Sequence, residues 1–493
     1  MPAKSLTDLG LAKLVTRAGQ WAGELMFSGL CVDSRDTKPG FLFCAMPGVN
    51  AHGAEFASYA LRMGAVAVLT DAEGLALLGE PDCPVLLAED PRAALSVAAA
   101  RWYGAQPRHM VAITGTNGKT SVANFHRQIL EELGRAAVNF GTVGVEGAVS
   151  AKLMHTTPEP ITLHKLLAEL ADQGVTHAAM EASSHGLEQR RLDGVMLEAG
   201  AFTNLTRDHL DYHHTFGDYF AAKAGLFERV LPVGATAVIN MDDGFGPTVK
   251  LVAEGRGQQV IMVGGGEGCE LRILNRRFDS DGQDVRFSWQ DKVHTTRLSL
   301  IGGFQASNVM MAAALAIAVG EEPDAVFKTL PDLKTVRGRM ELAATRENGA
   351  KVFVDFAHTP DALEIALQAL RPHVLGRLIV AFGAGGDRDK GKRPLMGEAA
   401  AKHADVVFVT DDNPRTEAAA TIRSEVLAGC PEANEVGDRA EAILRAVDAL
   451  QPGDTLLIAG KGHESGQIIG TDVFPFDDAE QASVAVAALE GRL

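Results

Sequence analysis

Residues 110–134, "MVAITGTNGKTSVANFHRQILEELG", decide how this chain is read. The apolar run Met110–Thr114 predicts a buried strand, and Gly115-Thr116-Asn117-Gly118-Lys119-Thr120 follows as a glycine-bearing loop. Val122, Phe125, Ile129, Leu130 and Leu133 then recur at helical spacing, with Gly134 as the stop. Strand, loop and helix in that order bring backbone N–H groups and the positive end of a helix dipole to one point, where an anion binds. Gly115 and Gly118 let the backbone approach phosphate oxygens. With Thr116, Asn117 and Ser121 they form the expected cradle, Lys119 is the partner of terminal phosphates, and the Thr120 hydroxyl is a Mg²⁺ ligand. The common loop is GxxxxGK[ST]; here Ile113 stands where its first glycine would be, so this is a shorter variant. The plain alternative, a glycine turn with a solvated lysine, is disfavoured by the flanking strand and helix. ATP is the expected ligand, and the loop alone does not name the reaction.

Working outward, 493 residues are too many for one hydrophobic core and suggest three domains. The first block, 1–107, alternates short strands ("FLFCAM", "AVAVLT", "PVLLAE") with helical stretches. The second, 108–341, starts at the loop strand and adds "HAAMEA", "GAFTN" and "TAVIN"; the third, 342–493, carries "KVFVDFA", "LIVAFG", "VVFVT" and "TLLIAG". Apolar strands alternating with helices predict an α/β fold with largely parallel sheets covered on both faces. Residues 243–300 carry few signals and no function is read from them. A net charge of −17 argues against nucleic acid as a partner, and any anionic substrate must be held by local cations and helix N-termini. The five scattered cysteines read as reduced thiols of a cytosolic protein. The first residues lack the apolar core of a signal peptide, and "VMMAAALAIAV" (309–319) is too short to span a membrane.

Two polar residues end apolar strands of the second block: Glu181 in "THAAMEASSHG" and His209 in "FTNLTRDHLDYHH". Strand C-termini are where open parallel sheets bind ligands, and a carboxylate facing nucleotide phosphates suits magnesium, although imidazole is an unusual ligand for it. Either residue alone reads equally as a satisfied polar group. Lys223, in "FGDYFAAKAGLFERVL", falls on the apolar face of its helix, four residues from both Tyr219 and Phe227. It either snorkels outward or is functional; a buried neutral amine can take up CO₂ and become a carbamate.

With the loop, Glu181, His209 and Lys223 in this order, the chain resembles the Mur ligase family, ATP-dependent amide-forming enzymes of cytoplasmic peptidoglycan synthesis. The resemblance spans nearly the whole chain through "VDSR" (32–35), "SSHGLEQRR" (183–191), "GGFQASN" (302–308), "VRGRME" (336–341), "DFAHTPDAL" (355–363), "GGDRDKGKRPLM" (385–396), "DNPR" (412–415) and "GKGHE" (460–464). It implies a UDP-binding first domain, a central P-loop ATPase-type domain with a parallel or mixed sheet, and a Rossmann-like third domain for the incoming amino acid. It implies Lys119, Glu181, His209 and a carbamylated Lys223 as the catalytic group, and Thr120, Glu181, His209 and Lys223 around Mg²⁺. Val32, Ser34, Val49, Asn50 and Ala51 are implied at the UDP-sugar, and Thr156, Thr157, Ser183, Gln189 and Arg191 at a muramoyl-dipeptide. Asn308, Arg339, Asp355 and His358 are implied around ATP. His155, where relatives often carry Asn, and Phe356, where Tyr is common, are departures. The first puts the sugar–peptide contacts in question rather than the chemistry. The sequence does not identify a general base, and His185 and His358 are named only as guesses.

In the third block, three loops follow strands on one sheet edge, so Arg388, Asp412, Asn413, Pro414, Arg415, Gly460 and Glu464 are expected to converge. Two guanidiniums, two acids and an amide suit the far end of a diamino diacid. An arginine grips its carboxylate, Glu464 and the Gly460 carbonyl hold its ammonium, and Pro414 stiffens the turn. The resemblance agrees, since DNPR marks the members that add diaminopimelate, the meso isomer by implication. Small-molecule substrates, a monomer and a cytoplasmic location without membrane partners are the accompanying expectations. The competing readings are a lysine-adding relative, a folate-polyglutamate ligase and a nucleotide switch.

Overall fold

The computed structural model describes residues 2–18, 24–48, 51–79, 83–153, 155–206 and 212–492. Its architecture is α/β, built on three main sheets. The first runs Val15–Ala18, Val85–Ala88, Ala67–Thr70, Phe41–Cys44, Gly29–Cys31, parallel except for its first member. Val32 and Ser34 follow the edge strand and Ala51 follows its neighbour, so all three sit beyond strand C-terminal ends. Val49 and Asn50 lie outside the described residues.

The central sheet has ten strands. Its functional middle is β1 (His109–Thr114), which leads through the glycine loop into α1 (Lys119–Glu132), with β2 (His177–Glu181) on one side and β3 (Ala199–Phe202) on the other. All three are parallel. Glu181 pairs in register with Ile113, and Phe202 with Thr114, so the residues after each strand leave the sheet at one edge. Val122, Phe125 and Ile129 of α1 are fully buried with Val309, Met310 and Ala313 of the helix Phe304–Ala318. Burying each such large side chain stabilises the fold by roughly 2 kcal/mol. This is the "VMMAAALAIAV" stretch, and among the described residues no helix is long and apolar enough to cross a membrane.

Residues 243–300 prove to be ordered structure. A helix (Gly246–Gly255) and a parallel strand (Gln259–Gly264) continue the sheet, and the strands Leu271–Asp279, Gly282–Trp289 and Lys292–Leu298 extend it as an antiparallel meander. The meander reaches the last third of the chain. His373 Nδ1 donates to the Asp279 carbonyl (2.6 Å), its Nε2 accepts from the Gly302 N–H (3.1 Å), and Lys351 Nζ meets Asp281 (2.7 Å).

The third sheet is built on β4 (Lys351–Asp355), β5 (Leu378–Phe382), β6 (Val406–Val409) and β7 (Thr455–Ala459). Its order is Glu341–Thr345, β4, β7, β5, β6, Asn434–Glu435, with only the first member antiparallel. Because β4, β7, β5 and β6 are all parallel, the loops after them open on one edge, and the insertion of β7 makes its loop the neighbour of those after β4 and β5.

Two imidazoles are locked into the central core. Burial drives His126, on α1, and His164 down to about 4. A folded pKa below the unfolded value of about 6.5 means the unfolded chain binds more protons between those limits. Stability is therefore complete above pH 6.5 and declines as pH falls toward 4, by at most about 3 kcal/mol per imidazole. A thermal midpoint that stays level from pH 7 to pH 4.5 would contradict this.

Candidate active site

The loop after β1 is held from two sides. Gly115 and Gly118 adopt φ of +146° and +85°, and a Cβ on Gly115 would collide with the Thr203 hydroxyl. The Asn117 N–H donates to Asn204 Oδ1 (2.8 Å), the Thr203 hydroxyl donates to the Asn117 carbonyl (2.6 Å), and the Thr116 N–H donates to the Asn204 carbonyl (2.9 Å). Thr203 and Asn204 follow β3. They were read as the end of the "GAFTN" strand, so their bracing role was missed. Asn308 joins the same loop, its Oδ1 lying 2.7 Å from where a Cβ on Gly118 would stand.

Lys119 Nζ donates to the carbonyls of Gly115 and Thr116, both at 2.9 Å. Lys223, on α2 (Phe216–Gly225), is buried, which removes the snorkelling alternative. Its Nζ donates to the same Gly115 carbonyl at 2.7 Å and lies 4.5 Å from the centre of the Tyr219 ring. Two lysine amines thus share one oxygen at the mouth of the loop. On the other side, Glu181 is buried: Oε1 accepts from the Thr120 hydroxyl (3.0 Å) and the Thr142 N–H (2.9 Å), and Oε2 from the Thr142 hydroxyl (3.1 Å). A hydroxyl and a carboxylate side by side at a phosphate loop are hard oxygen donors of the kind Mg²⁺ takes, so the residues fit that ion. His209 lies outside the described residues, and among the described residues no group of three or more metal-ligating side chains stands together.

Glu181 connects to a second cluster. Its backbone carbonyl accepts from the Thr157 hydroxyl (2.8 Å), which in turn accepts from Ser183 through both N–H (3.1 Å) and hydroxyl (3.0 Å). Arg191 donates to the Thr157 carbonyl and, at 2.8 Å, to Gln189, while Thr156 meets Thr142 at 3.3 Å. The structure therefore brings Thr156, Thr157, Ser183, Gln189 and Arg191 together beside the loop.

At the end of β4, Asp355 is buried and accepts from the N–H groups of Met340 (2.7 Å) and Ala357 (2.9 Å). Burial raises its carboxyl above the usual range against the pull of Arg339 and these two donors. The Arg339 guanidinium lies over the Phe356 ring (4.7 Å), which also contacts His358 (4.5 Å) and His463 (5.1 Å). Burial, together with Arg339, Arg337 and His358, lowers His463 to about 4.

The loops after β5, β6 and β7 converge as expected. A Cβ on Gly385 would stand 2.9 Å from Arg415 Nη1 and 3.9 Å from Arg388 Cγ, so both arginines flank one glycine, and Arg388 is exposed. Asp412 Oδ2 lies 2.6 Å from the Cβ position of Gly460. Asn413 is buried as a connector: Nδ2 donates to Glu464 (2.9 Å), and Oδ1 accepts from Lys461 Nζ (3.1 Å) and the Ile468 N–H (2.9 Å). Lys461 also meets Glu464 at 3.2 Å. Lys461 went unassigned although it stands inside "GKGHE". Also missed was Arg439, fully buried with Asp478, whose guanidinium donates to the carbonyls of Asp411 (3.3 Å) and Ala459 (2.9 Å), one at the base of each loop.

Comparison with known proteins agrees with this geometry. "Mur ligase family, catalytic domain" matches residues 27–103, "Mur ligase middle domain" matches 113–316, and "Mur ligase, glutamate ligase domain" matches 338–462. The chain is 50% identical over 476 residues to the UDP-N-acetylmuramoyl-L-alanyl-D-glutamate--2,6-diaminopimelate ligase of Brucella melitensis biotype 1, covering 96% of each chain. It is 48% identical to the Caulobacter vibrioides ligase of the same name, covering 96% of this chain and 97% of the other. A solved structure bearing that name superposes with a TM-score of 0.73 at 32% identity, covering 99% of both chains. In fold alone it is also similar to Mycobacterium tuberculosis folylpolyglutamate synthase complexed with ADP and AMPPCP (TM-score 0.62, 20% identity, 81% of this chain and 96% of that one). By these matches along its length, the chain belongs to the Mur ligase family.

Proposed function

We propose that this chain is an ATP-dependent ligase that joins an amine of meso-2,6-diaminopimelate to the D-glutamyl carboxylate of UDP-N-acetylmuramoyl-L-alanyl-D-glutamate in cytoplasmic peptidoglycan precursor synthesis. The observation that carries the reading is the pair Arg388 and Arg415 around Gly385, with Asp412 and Glu464 on the neighbouring loops of the same edge. Those charges match a ligand end that presents a carboxylate and an ammonium together. Residues 1–107 bind the UDP-sugar through Val32, Ser34, Val49, Asn50 and Ala51; 108–341 bind ATP and the dipeptide; 342–493 bind the amino acid. The protein acts as a monomer on small molecules, with neither membrane nor nucleic acid as partner, in keeping with its charge of −17.

In this reading the terminal phosphoryl of ATP passes to the glutamyl carboxylate and gives an acyl phosphate, which the amine attacks to leave an amide, ADP and phosphate. Lys119 and the loop N–H groups stabilise the transferring phosphoryl, and Asn308, Arg339, Asp355 and His358 orient the nucleotide. Thr120 and Glu181, with His209 and a carbamylated Lys223, would hold Mg²⁺, which would supply charge neutralisation at the phosphates. Turning Lys223 into a carbamate also relieves the repulsion of two lysines on the Gly115 carbonyl. Thr156, Thr157, Ser183, Gln189 and Arg191 fix the dipeptide beside Glu181.

Phosphate release measured across diaminopimelate, lysine and ornithine, with the UDP-dipeptide present, tests the assignment. Diaminopimelate is expected to exceed lysine in kcat/KM by up to ~10⁴, because lysine leaves Arg415 without its carboxylate. Equal rates for the two amino acids, or ATP turnover that needs neither, would reject it.

A further inference from the structure

The backbone of Arg415 is in the left-handed region, at φ +51°, where side chains other than glycine are uncommon. Its surroundings account for that. The hairpin of β8 (Gly466–Ile469) and β9 (Asp472–Pro475) is a two-stranded sheet of its own, joined to neither neighbouring sheet. It zips onto the Asp412–Arg415 turn. Gln467 Nε2 donates to the Asp412 carbonyl (2.7 Å), and the Ile468 N–H donates to Asn413 Oδ1 (2.9 Å). The Arg415 N–H donates to the Ile468 carbonyl (3.1 Å), and the Gly470 N–H donates to the Arg415 carbonyl (2.8 Å). Both backbone groups of Arg415 are thus engaged by one strand, in a parallel bridge with Ile469. The guanidinium is thereby sent back across the turn, where Nη1 donates to the Gly386 carbonyl (2.8 Å) beside Arg388.

An isolated hairpin is marginal in water. Its outer residues Ile469, Val473 and Phe474 are exposed, and what it shares with the rest of the molecule is largely the turn it braces. A strained conformation persists only where its surroundings over-determine it. We infer that the Gly466–Pro475 hairpin is a specificity element of the amino-acid site: it presets Arg415, and Gln467 is a positioning residue that acts through it. The inference rests on the ligase reading above. It adds that selection for a second carboxylate depends on a segment that does not itself touch the ligand's charges.

The test is steady-state kinetics of Gln467→Ala and Ile468→Pro with diaminopimelate and with lysine. In Gln467→Ala the KM for diaminopimelate rises about fivefold to tenfold, as loss of one such hydrogen bond gives, while kcat at saturation and the KM for ATP stay within twofold. The kcat/KM for lysine is unmoved, so the diaminopimelate-to-lysine ratio falls by the same factor, and Ile468→Pro lowers it further. In an Arg415→Ala background the same substitution leaves the ratio unchanged. A ratio that holds at the wild-type value in Gln467→Ala overturns the inference, as does an equal fall with and without Arg415. Should Ile468→Pro fail to fold, the Gln467 cycle decides alone. Absence of diaminopimelate-dependent phosphate release in the wild-type protein would instead reject the ligase reading.

Discussion

Lys223→Ala lowers kcat/KM by about 10³ or more, the order seen when a preorganised electrostatic group is removed from a reacting site. The side chain is buried, four residues from Tyr219 on the same helix face, with its Nζ on the Gly115 carbonyl that Lys119 also uses. Alanine at this position removes one of the two groups that hold that carbonyl. It also removes the amine that carbamylation would turn into an anion at the Gly115 carbonyl. The two roles separate under chemical rescue. Added formate or acetate restores part of the rate if a carboxylate is what is missing, and restores nothing if the amine itself is required. Full activity in Lys223→Ala would eliminate both.

The second large effect is on stability. Arg439 and Asp478 are both without solvent exposure and share two 2.7 Å hydrogen bonds. Arg439→Met leaves the Asp478 carboxylate buried and uncompensated, at a cost of about 3–5 kcal/mol. The midpoint of thermal unfolding falls accordingly. The double variant Arg439→Met/Asp478→Leu recovers most of that loss, because a buried ion pair and an apolar pair of similar volume are often nearly equivalent. It does not restore the donors to the Asp411 and Ala459 carbonyls, so the KM for diaminopimelate stays raised after stability returns. A double variant no more stable than Arg439→Met would refute the argument.

What could be read in advance follows from how local each constraint is. The glycine loop announces itself because strand, turn and helix N-terminus are contiguous, and their chemistry is written in consecutive residues. Lys223 was legible as a lysine on an apolar face, though burial was needed to choose between its two outcomes. The grouping of Thr156, Thr157, Ser183, Gln189 and Arg191 rested on resemblance, and its hydrogen bonds appear only once β2 is placed beside β1. Thr203, Asn204 and Gln467 were missed because they act on backbone groups of segments distant in sequence, and no side-chain pattern records that. The meander 271–298 hid for another reason. Its second turn, at Gln290 and Asp291, uses φ of +46° and +66° without glycine, so the usual hairpin dipeptide is missing there, while Asp281-Gly282 at its first turn went unread. Its outward residues, such as Arg276 and Arg286, dilute the apolar signal.

His373 gives the molecule a fulcrum. One imidazole receives the Gly302 N–H on Nε2 and gives its Nδ1 proton to the Asp279 carbonyl, so it is neutral, and burial keeps its pKa below the ordinary imidazole value. The Lys351–Asp281 pair lies beside it. A displacement of the Arg415 loop relative to the glycine loop must therefore either turn about these bonds or break them.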